Sequence, residues 1–229
     1  MRIGDGEIHI WFASANLSPS EIEIASTFLA EDELERARRY RFDADRRRSI
    51  VSRASLRQLL GRYTDSDPRA LEFVTREHGK PALAGGRIEF NASHSGDVVA
   101  LAFGQEPLGI DVERVRPMPD GLNIARRFFS PDETARLEAA KAASADEEFF
   151  TIWTAKEAVV KAIGKGLSAG LDSFTVPVQA QTFTPIHLNS MSEELDAGWN
   201  VQTIACQPGY RAAIATRGAD HKVILHRPP

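Results

Sequence analysis

Apolar and polar positions divide the chain into short periodic segments. Ile8-His9-Ile10-Trp11-Phe12-Ala13 reads as a strand. Helical periodicity follows over residues 18–39, with Ser20 as the expected N-cap, and residues 43–62 read as a second helix closed near Gly61. Residues 71–76 and 87–91 read as strands. Between them lie a turn at His78-Gly79-Lys80-Pro81 and a hairpin turn at Gly85-Gly86. The second of these strands runs into a polar turn, Ser93-His94-Ser95-Gly96. Residues 98–103 and 108–113 alternate as two further strands joined by Gln105-Glu106-Pro107.

The second half opens with a loop over residues 114–119 and a short helix ending near Phe129. Ser130-Pro131-Asp132-Glu133 then combines an N-cap serine, an N1 proline and an N3 glutamate, a strong helix start. Ser144-Ala145-Asp146-Glu147 repeats the capping-box pattern. The helix it starts runs through Trp153 and Lys161 and is stopped by Gly164 or Gly166. Residues 174–178, 199–204, 210–216 and 223–226 read as strands. Both halves mix one or two helices with several strands, which predicts two α+β lobes, residues 1–107 and 108–229.

Composition narrows the class. A length of 229 residues fits one large domain or two of about 100, and 42 % hydrophobic residues supply a core. No apolar run approaches the roughly 20 residues that span a bilayer, and the N-terminus lacks a signal-peptide pattern. The expectation is a cytoplasmic protein without membrane contact. Cys206 is the only cysteine, so an intrachain disulfide and a cysteine-based zinc site are excluded; it is expected as a buried small hydrophobe.

The net charge of −4 argues against a general nucleic-acid binder. Yet ten arginines fall between Arg36 and Arg62, which points to a localised anion site. On a helical wheel Arg46, Arg53 and Arg57 share a face and Arg48 lies opposite. Two readings stay open, a solvated face partly paired with acids, or phosphate binding through the guanidinium fork.

Three acids carry the candidate chemistry. Asp111 and Glu113 are two apart on a strand and share a face, while Ile110 and Val112 point into a core. Trp153, Glu157 and Lys161 are spaced i, i+4, i+8 and form one helical stripe, whose plain reading is a Glu–Lys pair beside a buried Trp. If that helix packs beside the acidic strand, three carboxylates converge on one point, and hard oxygen ligands of this kind suit magnesium. His94 either bonds its own turn or donates to a phosphate. Walker, Gly-x-Gly-x-x-Gly and Gly-x-Ser-x-Gly patterns are absent.

Leu108-Gly109-Ile110-Asp111-Val112-Glu113, Phe129-Ser130-Pro131-Asp132-Glu133 and Trp153-Thr154-Ala155-Lys156-Glu157-Ala158-Val159-Val160-Lys161 resemble, in order and spacing, the Sfp-type 4'-phosphopantetheinyl transferases. His78-Gly79-Lys80-Pro81, Phe90-Asn91-Ala92-Ser93-His94-Ser95 and Gly164-Lys165-Gly166-Leu167 fit the same pattern. The resemblance implies a monomer of two similar α+β lobes related by pseudo-twofold symmetry, with the active site in the cleft between them. It implies Asp111, Glu113 and Glu157 as magnesium ligands, with Glu157 and Lys161 as catalytic groups. Lys161 would contact the pyrophosphate of coenzyme A. Arg48, Lys80, Ser93 and His94 would hold its adenosine bisphosphate end. Glu133 matches the family motif, but a capping box accounts for it as well.

The reaction implied is attack by a serine hydroxyl of an apo acyl or peptidyl carrier protein on the β-phosphorus of coenzyme A, releasing adenosine 3',5'-bisphosphate. The proton acceptor is Glu157 or a metal-bound water. Arg126, Arg127, Phe128 and Phe129 are docking candidates for the carrier's acidic helix, with both phenylalanines also fitting a core. Secondary metabolite biosynthesis is the favoured setting. The alternatives are a non-catalytic coenzyme A or nucleotide-binding module, which would not need the three acids, and an arginine-based nucleic-acid binder, which the negative net charge opposes.

Overall fold

The computed structural model describes residues 1–76, 79–164, 170–189 and 198–226. Strand β1 (Glu7–Ser14) leads into two short helices, α1 (Pro19–Ser26) and α2 (Glu31–Arg38), where the periodicity predicts one. The cap of α1 is Ser18, not Ser20. Its Oγ accepts the Glu21 N–H at 3.3 Å and the Glu21 carboxylate accepts the Ser18 N–H at 2.7 Å, a complete capping box. The break between the helices buries Leu29, and α2 restarts with the Glu33 carboxylate on the Ala30 N–H.

Helix α3 (Asp43–Thr64) passes through Gly61 and ends at Asp65, whose φ is 55°. Gly61 serves packing rather than termination, since a Cβ there would lie 2.8 Å from the Ser66 carbonyl as the chain turns back. A small hairpin, β2 (Phe73–Thr75) and β3 (Pro81–Leu83), precedes β4 (Glu89–Ser95), β5 (Val98–Gly104) and β6 (Leu108–Arg114). Helices α4 (Gly121–Phe128), α5 (Pro131–Ala139) and α6 (Ala145–Ile163) follow. Ser130 caps α5 as its sequence predicts. Ser144 makes no side-chain cap on α6; its Oγ donates to the Lys141 carbonyl in a preceding 3-10 turn. Strands β7 (Phe174–Thr175), β8 (Thr184–Pro185), β9 (His187–Leu188), β10 (Trp199–Ile204), β11 (Tyr210–Arg217) and β12 (Lys222–His226) complete the described chain.

The strands form two four-stranded sheets, ordered β12-β1-β5-β4 and β6-β11-β10-β8, and two small pairs, β2-β3 and β7-β9. One topology occurs twice, strand–long helix–two antiparallel strands, as β1-α3-β4-β5 and again as β6-α6-β10-β11. In both copies the third strand lies between the first and second. The protein is therefore α+β with two similar lobes. β12 is the exception to sequence order, because it returns from the chain's end to pair in parallel with β1 in the first sheet.

Two sheet faces meet in a shared core of Ile8, Ile10, Val98, Ala100 and Ala102 with Leu108, Ile110, Val112, Ala212 and Ile214. The opposite faces are covered by long helices, with Trp11, Val99, Leu101 and Phe103 under α3 and Ala213 and Ala215 under α6. β5 is consequently buried on both faces along all seven residues, where the sequence reads as alternation. Each large apolar side chain so placed contributes roughly 1.5–3 kcal/mol. Cys206 is half-buried against the shared core, and burial pushes its thiol up. Among the described residues no helix is long and apolar enough to cross a membrane.

Candidate active site

The period-two pattern of β6 sends Ile110 and Val112 into the shared core and Asp111 and Glu113 to the side covered by α6. Gly109 allows that helix to approach. A Cβ at Gly109 would stand 2.2 Å from the Ala158 carbonyl and 2.3 Å from the Ala162 nitrogen, so only glycine lets the strand and helix backbones meet here. The approach brings the Trp153, Glu157 and Lys161 stripe over Asp111 and Glu113. These five residues, with Ala92, Ser93 and His94, line one cleft of about 340 Å³ between the lobes.

The segment Ser93-His94-Ser95 is strand rather than turn; β4 continues to Ser95, and Gly96 and Asp97 make the turn. Gly96 has φ 54°, and a Cβ on it would lie 2.4 Å from the Tyr210 hydroxyl. In the extended conformation Ser93 and Ser95 share a face that looks onto β6. The Ser93 Oγ donates to Asp111 Oδ1 at 2.8 Å and the Ser95 Oγ donates to Glu113 Oε2 at 2.6 Å.

Asp111 is almost fully buried, and Lys161 Nζ donates to its Oδ1 at 2.6 Å and to Ser93 Oγ at 3.0 Å. Asp111 Oδ2 is buried with no hydrogen-bond partner. Burial raises the Glu113 carboxyl above its ordinary value, the Ser95 hydrogen bond opposes this, and Asp111 adds repulsion. Glu157 is also raised, first by burial, then by Asp111, with Lys161 opposing. Arg116 reaches Glu113 only at 3.6 Å and is half exposed. Among the described residues the cleft therefore holds three carboxylates against one close ammonium. Among the described residues no three acidic, histidine or cysteine side chains stand close enough to enclose a metal ion as they are, and Lys161 is the cationic partner of Asp111 in this structure. The orphaned Asp111 oxygen and the mutual repulsion of the acids nonetheless fit a divalent cation, which would satisfy both.

The phosphate candidates are more scattered. His94 is exposed at the mouth of the cleft, where partial desolvation and then the nearby Arg48 and Lys161 hold its imidazole below the ordinary value. Arg48 pairs with Asp45 and donates to the Gly96 carbonyl at 3.3 Å, leaving its buried Nε without a partner. Lys80 lies across the seam, with Nζ donating to the Leu108 carbonyl at 2.9 Å and the Ala162 carbonyl at 3.5 Å; burial lowers its pKa to about 8. A larger hollow of about 610 Å³ adjoins the cleft at Ala92 and His94 and is lined by Arg36, Tyr40, Arg53 and Thr75 among others. His78, Lys165, Gly166 and Leu167 lie outside the described residues.

Several charged residues of the sequence patterns are structural. Arg57 is buried and binds Glu33 at 2.7 and 3.0 Å, while Arg53 pairs with the same carboxylate and lies 3.8 Å over the Phe73 ring. Arg46 pairs with Asp43. Glu133 caps α5 and forms a fully buried pair with Lys156 at 2.7 Å, and Lys156 also donates to the Phe174 carbonyl at 2.6 Å. Phe129 is core, whereas Phe128 is exposed with Arg127 over its ring, and Arg126 pairs with Glu138. Sequence reasoning missed Ser95, Asn91 and Gly109; the two-residue spacing of Asn91, Ser93 and Ser95 is the signal that could have found the first two.

The sequence matches the family described as 4'-phosphopantetheinyl transferase superfamily over residues 107–215, and that described as 4'-phosphopantetheinyl transferase, N-terminal, over residues 15–106. It is 33 % identical over 205 residues to the 4'-phosphopantetheinyl transferase Sfp of Bacillus subtilis, covering 89 % of each chain. It is 34 % identical over 209 residues to the 4'-phosphopantetheinyl transferase psf-1 of Bacillus pumilus, covering 90 % of this chain and 87 % of that one. To the 4'-phosphopantetheinyl transferase HetI of Nostoc it is 35 % identical over 167 residues, 71 % of this chain and 70 % of that one.

Proposed function

The chain belongs to the 4'-phosphopantetheinyl transferase superfamily and is an enzyme of that class; from this premise we propose that it moves the phosphopantetheine arm of coenzyme A to a serine hydroxyl of an apo acyl or peptidyl carrier protein, with Mg2+, releasing adenosine 3',5'-bisphosphate. The observation that carries the reading is the juxtaposition of Asp111, Glu113, Glu157 and Lys161 in one inter-lobe cleft with a buried, unpartnered carboxylate oxygen at its base. Asp111, Glu113 and Glu157 would hold the ion. When bound, Mg2+ supplies neutralisation of charge on the phosphoryl oxygens.

The side chains of this chain do the rest. Lys161 exchanges part of its contact with Asp111 for the diphosphate and stabilises negative charge there. The carrier serine Oγ forms a bond to the β-phosphorus, and the bond from that phosphorus to adenosine bisphosphate breaks. A carboxylate oxygen of Glu157 not engaged by the ion would take the serine proton. Lys80, Arg48, Ser93 and His94 receive the adenosine bisphosphate end, which extends into the adjoining hollow. Arg127 and Phe128 offer a basic, partly apolar surface to the acidic helix of the carrier. The protein acts as a monomer in the cytoplasm, with lobes 1–107 and 108–229, and serves carriers of secondary metabolism.

Mass spectrometry of an apo carrier after incubation with the protein, coenzyme A and Mg2+ tests the reading. The carrier gains one phosphopantetheine on its serine. Asp111→Ala abolishes the gain while the far-ultraviolet spectrum and urea midpoint stay those of a folded protein. An unmodified carrier across a panel of acyl and peptidyl carriers, or full activity in Asp111→Ala, would overturn it.

A further inference from the structure

The outer edge of β6 carries no backbone ladder to β4. Three side chains of β4 take the place of one. Asn91 Oδ1 accepts the Ile110 N–H at 2.9 Å, Ser93 Oγ the Val112 N–H at 3.3 Å and Ser95 Oγ the Arg114 N–H at 3.1 Å. The rungs repeat every second residue on both strands, so the lobes are joined through polar side chains beside the acidic strand.

A serine hydroxyl has one proton to give. The Arg114 N–H donates into Ser95 Oγ, so the Ser95 proton is free to point the other way, to Glu113 Oε2 at 2.6 Å. The hydroxyl is thus aligned by the backbone of the strand whose carboxylate it holds. Among the described residues no other group bonds Glu113 this closely, since Arg116 stands at 3.6 Å. One Glu113 oxygen is tied down and the other is left to the cleft that the residue lines.

We propose that Ser95 is a positioning residue that sets the rotation of the Glu113 carboxylate for a divalent cation. The proposal rests on the reading of Glu113 as a ligand. Mg2+ demands near-octahedral geometry, so a carboxylate free to rotate binds it less well than one held at a fixed angle. Partners that orient a ligand are worth about 10–100-fold in metal affinity.

The test is Mn2+ binding by electron paramagnetic resonance, in the presence of coenzyme A and without a carrier, on the full-length protein and its Ser95→Ala, Ser95→Thr and Glu113→Gln variants. Ser95→Ala weakens Mn2+ binding about 10-fold and raises the Mg2+ concentration for half-maximal transfer by a similar factor, while kcat at saturating Mg2+ and the affinity for coenzyme A in EDTA hold. Ser95→Thr, which keeps the hydroxyl, restores binding. Unchanged Mn2+ affinity in Ser95→Ala, or an equal deficit in Ser95→Thr, overturns the positioning role. Unchanged affinity in Glu113→Gln overturns the ligand reading beneath it.

Discussion

Lys156 and Lys161 sit five residues apart on α6 and do unlike work. Lys156 is fully enclosed, with Glu133 and the Phe174 carbonyl as partners. Lys161 keeps about a quarter of its side chain in the cleft. Removing the first strands a buried carboxylate, so Lys156→Met should cost about 3–5 kcal/mol of stability, read as a fall in urea midpoint. Lys161→Met also takes the ammonium from buried Asp111, so it too should lower the midpoint, but in the folded protein it should in addition slow transfer by about 10²–10³-fold. Lys80 gives a pH signature. Its folded pKa near 8 lies below the ordinary 10.5, so between these values the unfolded chain binds a proton that the folded chain has shed. Stability from this group therefore rises as pH climbs from about 8 to 10.5 and is lost as pH falls through 8. The difference in unfolding free energy between pH 7 and pH 9.5 should shrink in Lys80→Met; an unchanged difference would refute it.

The elements that position the site were unequally legible. The i, i+4, i+8 stripe on α6 and the Asp-x-Glu alternation on β6 depend on local geometry, so the sequence carries them directly. Their meeting depends on Gly109, whose purpose is a contact with a helix some fifty residues away that local periodicity does not express. Ser93-His94-Ser95 reads as a turn because small polar residues favour turns; it is strand because its backbone pairs with β5 from Ser93↔Ala100 to Ser95↔Val98, which leaves its serines to bond across the seam to β6. The arginines of α3 show the same limit. The helical wheel groups Arg53 and Arg57 correctly, but their common partner Glu33 lies on another helix, so pairing could not be told from phosphate binding. Gly109→Ala tests the helix–strand contact. A methyl group 2.2 Å from the Ala158 carbonyl forces α6 outward, which should cost about 1–3 kcal/mol in the urea midpoint. Transfer should fall further than that loss explains, because Glu157 and Lys161 move with the helix. Wild-type transfer rates in this variant would show that the close approach does not set the site.

At the scale of the molecule, the repeated topology raises the question of why there should be one cleft and not two. Position for position, β1 runs Ile8, His9, Ile10, Trp11 where β6 runs Ile110, Asp111, Val112, Glu113, with the isoleucines and valine in the shared core in both lobes. Tyr63 on α3 stands as Lys161 does on α6. Its hydroxyl meets His9 Nδ1 at 2.8 Å and the Trp11 indole N–H at 3.1 Å, as Lys161 meets Asp111. Imidazole, indole and phenol thus replace two carboxylates and an ammonium. The edges differ in the same sense. The outer edge of β6 faces side-chain rungs and a cleft, whereas the outer edge of β1 is closed by the backbone of β12 from Glu7↔Lys222 to Trp11↔His226. His226 stacks on Trp11 with ring centroids 4.4 Å apart and planes within 9°. Among the described residues, that side offers imidazole, indole and phenol where the cleft has its acids and ammonium, and β12 occupies the strand edge. Titration calorimetry with coenzyme A and Mg2+ should accordingly give one site per chain, and Lys161→Met should weaken that single isotherm without uncovering another. A stoichiometry of two, or a residual site in Lys161→Met that is lost on replacing Tyr63, would mean that the first lobe retains a working copy.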